Sequence, residues 1–293
     1  MRTALAKWTA RFPILAFVLL TFLITWGCVL YLAAGDAGLI GHKPSILWLA
    51  LVGQFGPLWA ALLLIALQSG RLGLKRLFQA VWAFRLDRTV WLVILLFAPV
   101  GFLLTYGGYV LFNGGHLDFQ KILWPKLVGG VLVGTLIGLI FGGLSEEIGW
   151  RGYLLPRLQG RMHPLFAGTL VGIIWALWHL DPDVLAIAFQ KGWGPFWAEW
   201  SRYQGKYLLE TIPFSIFMTA LFNRARGSLF AMMLVHALAN AFTVEVWSNW
   251  KPIPPALRVW DVVIAYGIAF ALLWAWRTWA VHITPPESDP QEV

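Results

Sequence analysis

Residues 127–158 read LVGGVLVGTLIGLIFGGLSEEIGWRGYLLPRL. The stretch opens with uncharged, mostly apolar residues and then places Glu146 and Glu147 side by side, with Arg151 following. A helix needs about 20 apolar residues to cross a hydrocarbon layer about 30 Å thick. At 1.5 Å per residue this run rises about 48 Å. Two carboxylates therefore ride inside a membrane helix, where an ionisable group costs about 2.5–3.5 kcal/mol on insertion scales. A residue kept at that cost usually has a function, so this stretch sets both the fold class and the search for a site.

The rest of the chain agrees. Of 293 residues 59% are hydrophobic and 12% charged, and the mean hydropathy is +0.70. A water-soluble protein carries about 25% charged residues; so little polar surface excludes a water-facing globule. The 19 Trp residues fit the enrichment of Trp at membrane interfaces. Apolar runs fall at 12–34, 46–68, 90–112, 127–158, 165–180, 207–223, 228–247 and 259–281. Lipid-spanning backbone must be helical or a closed barrel, and barrel strands are only about 10 residues long. The expectation is an all-α, polytopic membrane helix bundle of about eight transmembrane helices. Residues 1–126 hold three spans, 127–249 the polar-bearing core, 250–281 the last span, and 282–293 a polar, Pro-rich tail expected to be disordered. The first run is longer than a signal-peptide hydrophobic region, although Ala33 and Ala34 are small enough to suit cleavage. The single cysteine, Cys28, excludes a disulfide framework within the chain and reads as a small buried hydrophobe.

Fourteen of the 22 Lys and Arg residues fall in the tails and in alternate loops, which predicts both termini on the cytoplasmic side of a multi-pass protein; a bacterial cytoplasmic membrane is expected from the style of the chain alone. The same bias accounts for the net charge of +8, so no nucleic-acid partner is expected; the lipid bilayer is. Residues 72–86 interleave apolar and basic residues and suit either a helix lying in the membrane surface or a solvated loop.

Helical geometry sorts the intramembrane polar residues. Glu147 and Arg151 are four apart and share a face, so they can pair; Glu146 points about 100° away and is left for another neighbour. His236 and Asn240 share a face in the same manner, as do Trp175 and His179. If the long helix continues to Leu158, Glu146 lies about 18 Å from its end, His179 about 21 Å from a start at Leu165, and His236 and Asn240 about 12 and 18 Å from Ser228. Three helices then bring a carboxylate, two imidazoles and an amide to one depth. Each has a structural alternative: an ion-pair staple for Glu147 with Arg151, a hydrogen-bonded core histidine for His179, and helix–helix glue for His236 with Asn240. The long helix is free to kink at Gly149, Gly152 or Pro156. The glycines at 129, 130, 134, 138, 142, 143, 149 and 152 suit close helix packing, or room for water or a substrate chain.

In that order and on separate helices, Glu-Glu-x-x-x-Arg, aromatic-x-x-x-His and His-x-x-x-Asn resemble the CPBP family, also called Abi, of CAAX prenyl protease type 2-like intramembrane proteases and bacteriocin-processing or immunity proteins. The matching stretch is about 127–249. Trp175 departs from the usual Phe. The resemblance implies that Glu146 and His179 activate a water, that His236 and Asn240 hold the oxyanion, and that Glu147, Arg151 and Trp175 support the site. It also implies a peptide or membrane-protein substrate.

As chemistry, a buried Glu is a plausible general base, and an amide and an imidazole N–H are the donor types an oxyanion needs. Zinc is the competing cofactor: Glu146, His179 and His236 with a water would form a catalytic set, although no HExxH stretch is present. A metal-free Glu mechanism is the preferred expectation. The rival functions are a non-proteolytic immunity or regulatory member of the family and a proton-coupled transporter. The latter often shows paired halves with broken helices, a symmetry absent from this sequence.

Overall fold

In the computed structural model residues 4–42, 44–114, 124–249 and 255–277 are described, and every regular element among them is helical. Proline and glycine set the boundaries. The short α1 (Ala4–Arg11) turns into α2 (Pro13–Asp36), which starts with Pro13 where a missing N–H costs nothing. A π-helical turn, Leu49–Gly53, leads through Gln54 and Phe55 into α3 (Gly56–Val81). The second span therefore starts later than the apolar run at 46 implies. Pro57 occupies the first turn of α3, and Gly53 and Gly56 let this junction press against α2: Thr25 Oγ1 donates to the Gly53 carbonyl at 2.7 Å.

Beyond its apolar part α3 breaks at Gly70 (φ 61°, ψ −148°), a conformation glycine adopts without a Cβ penalty. The segment after the break is helical to Val81, with Leu77 buried and Leu72 and Phe78 exposed, so most of the stretch at 72–86 is a helix rather than a loop. α4 (Arg88–Asn113) is capped by Asp87, whose carboxylate accepts from Val90 N at 3.0 Å.

α5 (Trp124–Gly138), a π-helical turn at Leu139–Leu144, α6 (Ser145–Gly149), a second π-helical turn at Trp150–Leu154 and α7 (Leu155–Gln159) follow without interruption. The 33-residue span Leu127–Gln159 confirms the long helix on which the common depth of the polar residues rests. Instead of a kink at one glycine, two π-helical turns flank the carboxylates, and such turns occur often at functional sites. The two halves of the span differ. Leu132, Val133, Leu136 and Ile137 lie on the exposed outside, whereas residues 145–156 are buried on every side.

α8 (Pro164–Trp178) ends at His179, and α9 (Pro182–Lys191) leaves it at 52° after the Asp181 cap. α10 (Trp193–Arg224), α11 (Leu229–Asn249) and α12 (Pro255–Trp276) complete the bundle. Among the described residues five helices are long and apolar enough to cross a membrane, six if α8 and α9 count as one bent span, and Leu229–Glu245 of α11 is a shorter apolar stretch. The remaining candidate, at 207–223, is the apolar end of α10, whose first half carries Glu199, Arg202 and Lys206. The tail at 282–293 and the end of the last predicted span lie outside the described residues.

The core is built around the buried half of the long span: Trp150, Tyr153 and Leu154 pack with Phe17 of α2, Leu64 of α3, Val171 of α8, Phe217 of α10 and Met232 of α11. Phe17 stacks on Tyr153 at 5.1 Å and meets Trp150 edge-on at 5.6 Å. Gly149 lets this span touch the start of α3, because a Cβ there would stand 2.7 Å from the Pro57 carbonyl oxygen. Gly149→Ala is expected to destabilise the protein by about 1–3 kcal/mol through overpacking, read as a lower Tm in detergent, whereas Ala at Gly129, whose Cβ would meet nothing within 4 Å, leaves Tm unchanged.

Candidate active site

The site begins with a ladder of glycines. On α5 and the turn after it, Gly134, Gly138 and Gly142 recur every four residues and so share one helix face. α11 lies against that face. A methyl on Gly134 would stand 3.0 Å from Ala241 Cβ, one on Gly138 3.2 Å from Ala237 Cα, and one on Gly143 2.8 Å from the Met233 carbonyl oxygen. At the next rung the neighbours are polar: a Cβ on Gly142 would lie 3.3 Å from Asn240 Nδ2 and 3.4 Å from His236 Nε2. The amide and the imidazole of the HALAN stretch thus converge beside a backbone with no side chain in the way. Most of these glycines act in packing; Gly142 also leaves the space in which two nitrogens meet.

The adjacent carboxylates diverge as helical geometry requires. Glu147 is fully buried and its Oε1 accepts from Arg151 Nη1 at 3.0 Å, the expected four-residue pair. The same oxygen lies 2.7 Å from His236 Nδ1. Arg151 is also fully buried, donates through Nη2 to Ser215 Oγ at 3.1 Å and lies 4.9 Å over the Trp175 ring. This ion pair is more than a staple on one helix. It fixes the tautomer of His236, because a nitrogen facing a carboxylate carries the proton.

Glu146 turns the other way. Its Oε2 accepts from Trp175 Nε1 at 2.6 Å and its Oε1 from Gln54 Nε2 at 2.8 Å. Trp175 stands between the two carboxylates, with its N–H on Glu146 and its ring edge-to-face with His236 at 5.3 Å. His179 sits one turn along α8, its Nδ1 2.9 Å from the Trp175 carbonyl oxygen. A carbonyl only accepts, so Nδ1 carries the proton and Nε2 keeps its lone pair. The Tyr207 ring stacks on His179 at 4.5 Å, and Gln204 Nε2 donates to the His179 carbonyl at 2.5 Å. Glu146, Trp175 and His179 thus form one connected group, and Glu147, Arg151 and His236 another that meets it through Trp175. No direct hydrogen bond joins Glu146 to His179 among the described residues.

Metal binding makes a different demand. Among the described residues no group of three or more His, Cys, Asp and Glu side chains is gathered closely enough to hold a metal ion. Glu146, His179 and His236 are therefore not gathered as a three-ligand set in this arrangement.

Sequence reasoning missed Gln54, Ser215, Gln204 and Tyr207. Gln54 carried a usable signal, a polar amide inside the apolar run at 46–68, but a search for ionisable residues passes over amides. Ser215, Gln204 and Tyr207 lie on α10 and carry no motif. Only packing shows what they touch.

Buried adjacent carboxylates beside an imidazole–amide pair in a bundle of apolar helices place this protein in the class of helical membrane proteins with an embedded polar site, and known proteins resemble it in this part. Residues 128–242 match the family described as type II CAAX prenyl endopeptidase Rce1-like. A CAAX prenyl protease 2 of Methanococcus maripaludis is 28% identical over 153 residues, a match covering 50% of this chain and 53% of the relative. The chain thus spans about half the length of the curated relative it matches. Glu146, Glu147, Arg151, Trp175, His179, His236 and Asn240 all fall within the family match, and Gln54 lies outside it.

Arg151→Met would leave Glu147 buried opposite a single imidazole. It is expected to cost about 3–5 kcal/mol in unfolding free energy, measured by denaturant titration in detergent. Adding Glu147→Gln to the same chain should recover part of that loss.

Proposed function

We propose that this protein is an intramembrane endopeptidase in which Glu146 takes a proton from water and the resulting hydroxide attacks a peptide carbonyl. The observation that carries the reading is the convergence of His236 Nε2 and Asn240 Nδ2 beside Gly142, a few residues along the helix from the Glu146 carboxylate. The family match at 128–242 supports hydrolysis of a peptide bond, and the bilayer supplies the setting.

The roles follow from the free atoms. Each Glu146 oxygen accepts one N–H and keeps a second lone pair for water. His179 Nε2, an acceptor in the tautomer set by Trp175, orients the same water and shares its proton. As the tetrahedral intermediate forms, its oxyanion receives hydrogen bonds from Asn240 Nδ2 and His236 Nε2. For Nε2 to donate while Nδ1–H faces Glu147, the ring must be an imidazolium, and the Glu147 carboxylate 2.7 Å away is the charge that holds it. Collapse of the intermediate breaks the C–N bond, and the proton held by Glu146 passes to the leaving amine. No step needs a metal, and we propose a metal-independent reaction. The Lys and Arg distribution supports an orientation with both termini on the cytoplasmic side. The relative's name makes a prenylated CAAX peptide the first substrate to try.

Purified protein in proteoliposomes, offered a fluorescence-quenched CAAX peptide with and without its prenyl group, tests the proposal. Glu146→Gln and His179→Ala should be folded and inactive, and Asn240→Ala should lose about 10²–10³-fold in kcat, the usual effect of removing one oxyanion donor. Wild-type turnover by Glu146→Gln would remove the base. Elemental analysis of the active sample should find metal far below one equivalent, and chelators should leave the rate unchanged. A stoichiometric metal lost together with activity would replace the metal-free mechanism.

A further inference from the structure

We propose that Gln54 and Trp175 are positioning residues that clamp the Glu146 carboxylate between the N-terminal spans and α8. The inference rests on the reading of Glu146 as the base, and it extends the site beyond the residues that match the family.

The geometry is specific. Gln54 stands where the chain turns from the π-helical Leu49–Gly53 into α3, a place held against α2 by the Thr25 hydrogen bond to Gly53. Its Nε2 donates at 3.0 Å to the Phe141 carbonyl and at 2.8 Å to Glu146 Oε1. The Phe141 oxygen can only accept, so the amide group facing it is the NH2 and not the oxygen. Both hydrogens of that NH2 are then engaged, one on the turn that precedes the carboxylate and one on the carboxylate itself. Gln54 thereby ties the side chain of Glu146 to the backbone of its own helix. Trp175 holds the other oxygen at 2.6 Å, and its ring is fixed between Arg151 on one face at 4.9 Å and the edge-to-face contact with His236 at 5.3 Å. A Phe at this position would keep the ring contacts and lose the only N–H.

A carboxylate on two rotatable methylenes gains from such a clamp, since misplacing a reacting group by 1 Å can lower a rate by about 100-fold. Gln54→Met keeps length and removes the donor; Trp175→Phe keeps the aromatic packing. In the quenched-peptide assay each should lower kcat about 10- to 100-fold with KM within about twofold of wild type. In a Glu146→Asp chain, whose shortened carboxylate no longer reaches the donors, neither change should lower kcat further. A role in packing alone would cost the same factor in both backgrounds, and that result would overturn the clamp. Thermal unfolding gives a reading without turnover. Gln54→Met and Glu146→Met should each lower Tm in detergent, and the double variant should fall no further than the worse single one; additive shifts would overturn the contact. Wild-type kcat in Gln54→Met and Trp175→Phe beside an inactive Glu146→Gln rejects the clamp and leaves the base standing. Wild-type kcat in Glu146→Gln rejects the base.

Discussion

The structure depends on one buried charge arrangement: a guanidinium and a carboxylate, Arg151 and Glu147, both without solvent contact and 3.0 Å apart on one helix. Desolvating two charges costs several kcal/mol per ion, and the attraction between them repays that only when further hydrogen bonds satisfy the remaining atoms. Here Ser215 takes a second guanidinium nitrogen and His236 shares the paired carboxylate oxygen, while Glu147 Oε2 and Arg151 Nε remain buried without a hydrogen bond among the described residues. The pair therefore selects the neighbours of its helix, since α10 and α11 must supply the hydroxyl and the imidazole at that depth.

Adjacency then does the remaining work. Because consecutive residues on a helix point about 100° apart, fixing Glu147 toward α11 turns Glu146 toward α8 and Gln54. One dipeptide thus serves two neighbourhoods, one ionic and closed, the other holding a carboxylate by neutral N–H donors. Trp175 joins them, touching Glu146 through its nitrogen and Arg151 and His236 through its ring. A structural pair beside a proposed base is a reason for two carboxylates where one reaction needs a single base.

The glycines explain why the helices come so near. α11 carries polar groups, and its approach to α5 takes place over a face without side chains. In lipid, helix association draws on close van der Waals packing rather than on water exclusion, so the ladder from Gly134 to Gly142 is both the adhesive and the means of aiming His236 and Asn240. The π-helical turns on either side of the carboxylates belong to the same design, widening the helix where it must fit between its neighbours.

Much of this was legible in the sequence. Apolar length and the scarcity of charge determine a helical membrane protein, because lipid leaves an unsatisfied backbone no other solution. Four-residue spacing determines that Glu147 meets Arg151, that Trp175 and His179 are neighbours, and that His236 and Asn240 share a face, because these are local consequences of the 3.6-residue turn. Tertiary structure alone decided what lies across the gaps: that Gln54, at the turn ahead of α3, completes the shell of Glu146, that Ser215 and Tyr207 of α10 hold Arg151 and His179, and that the Trp175 N–H reaches a carboxylate. Those contacts depend on how helices far apart in the chain are placed and rotated against one another, and neither periodicity nor composition records that rotation.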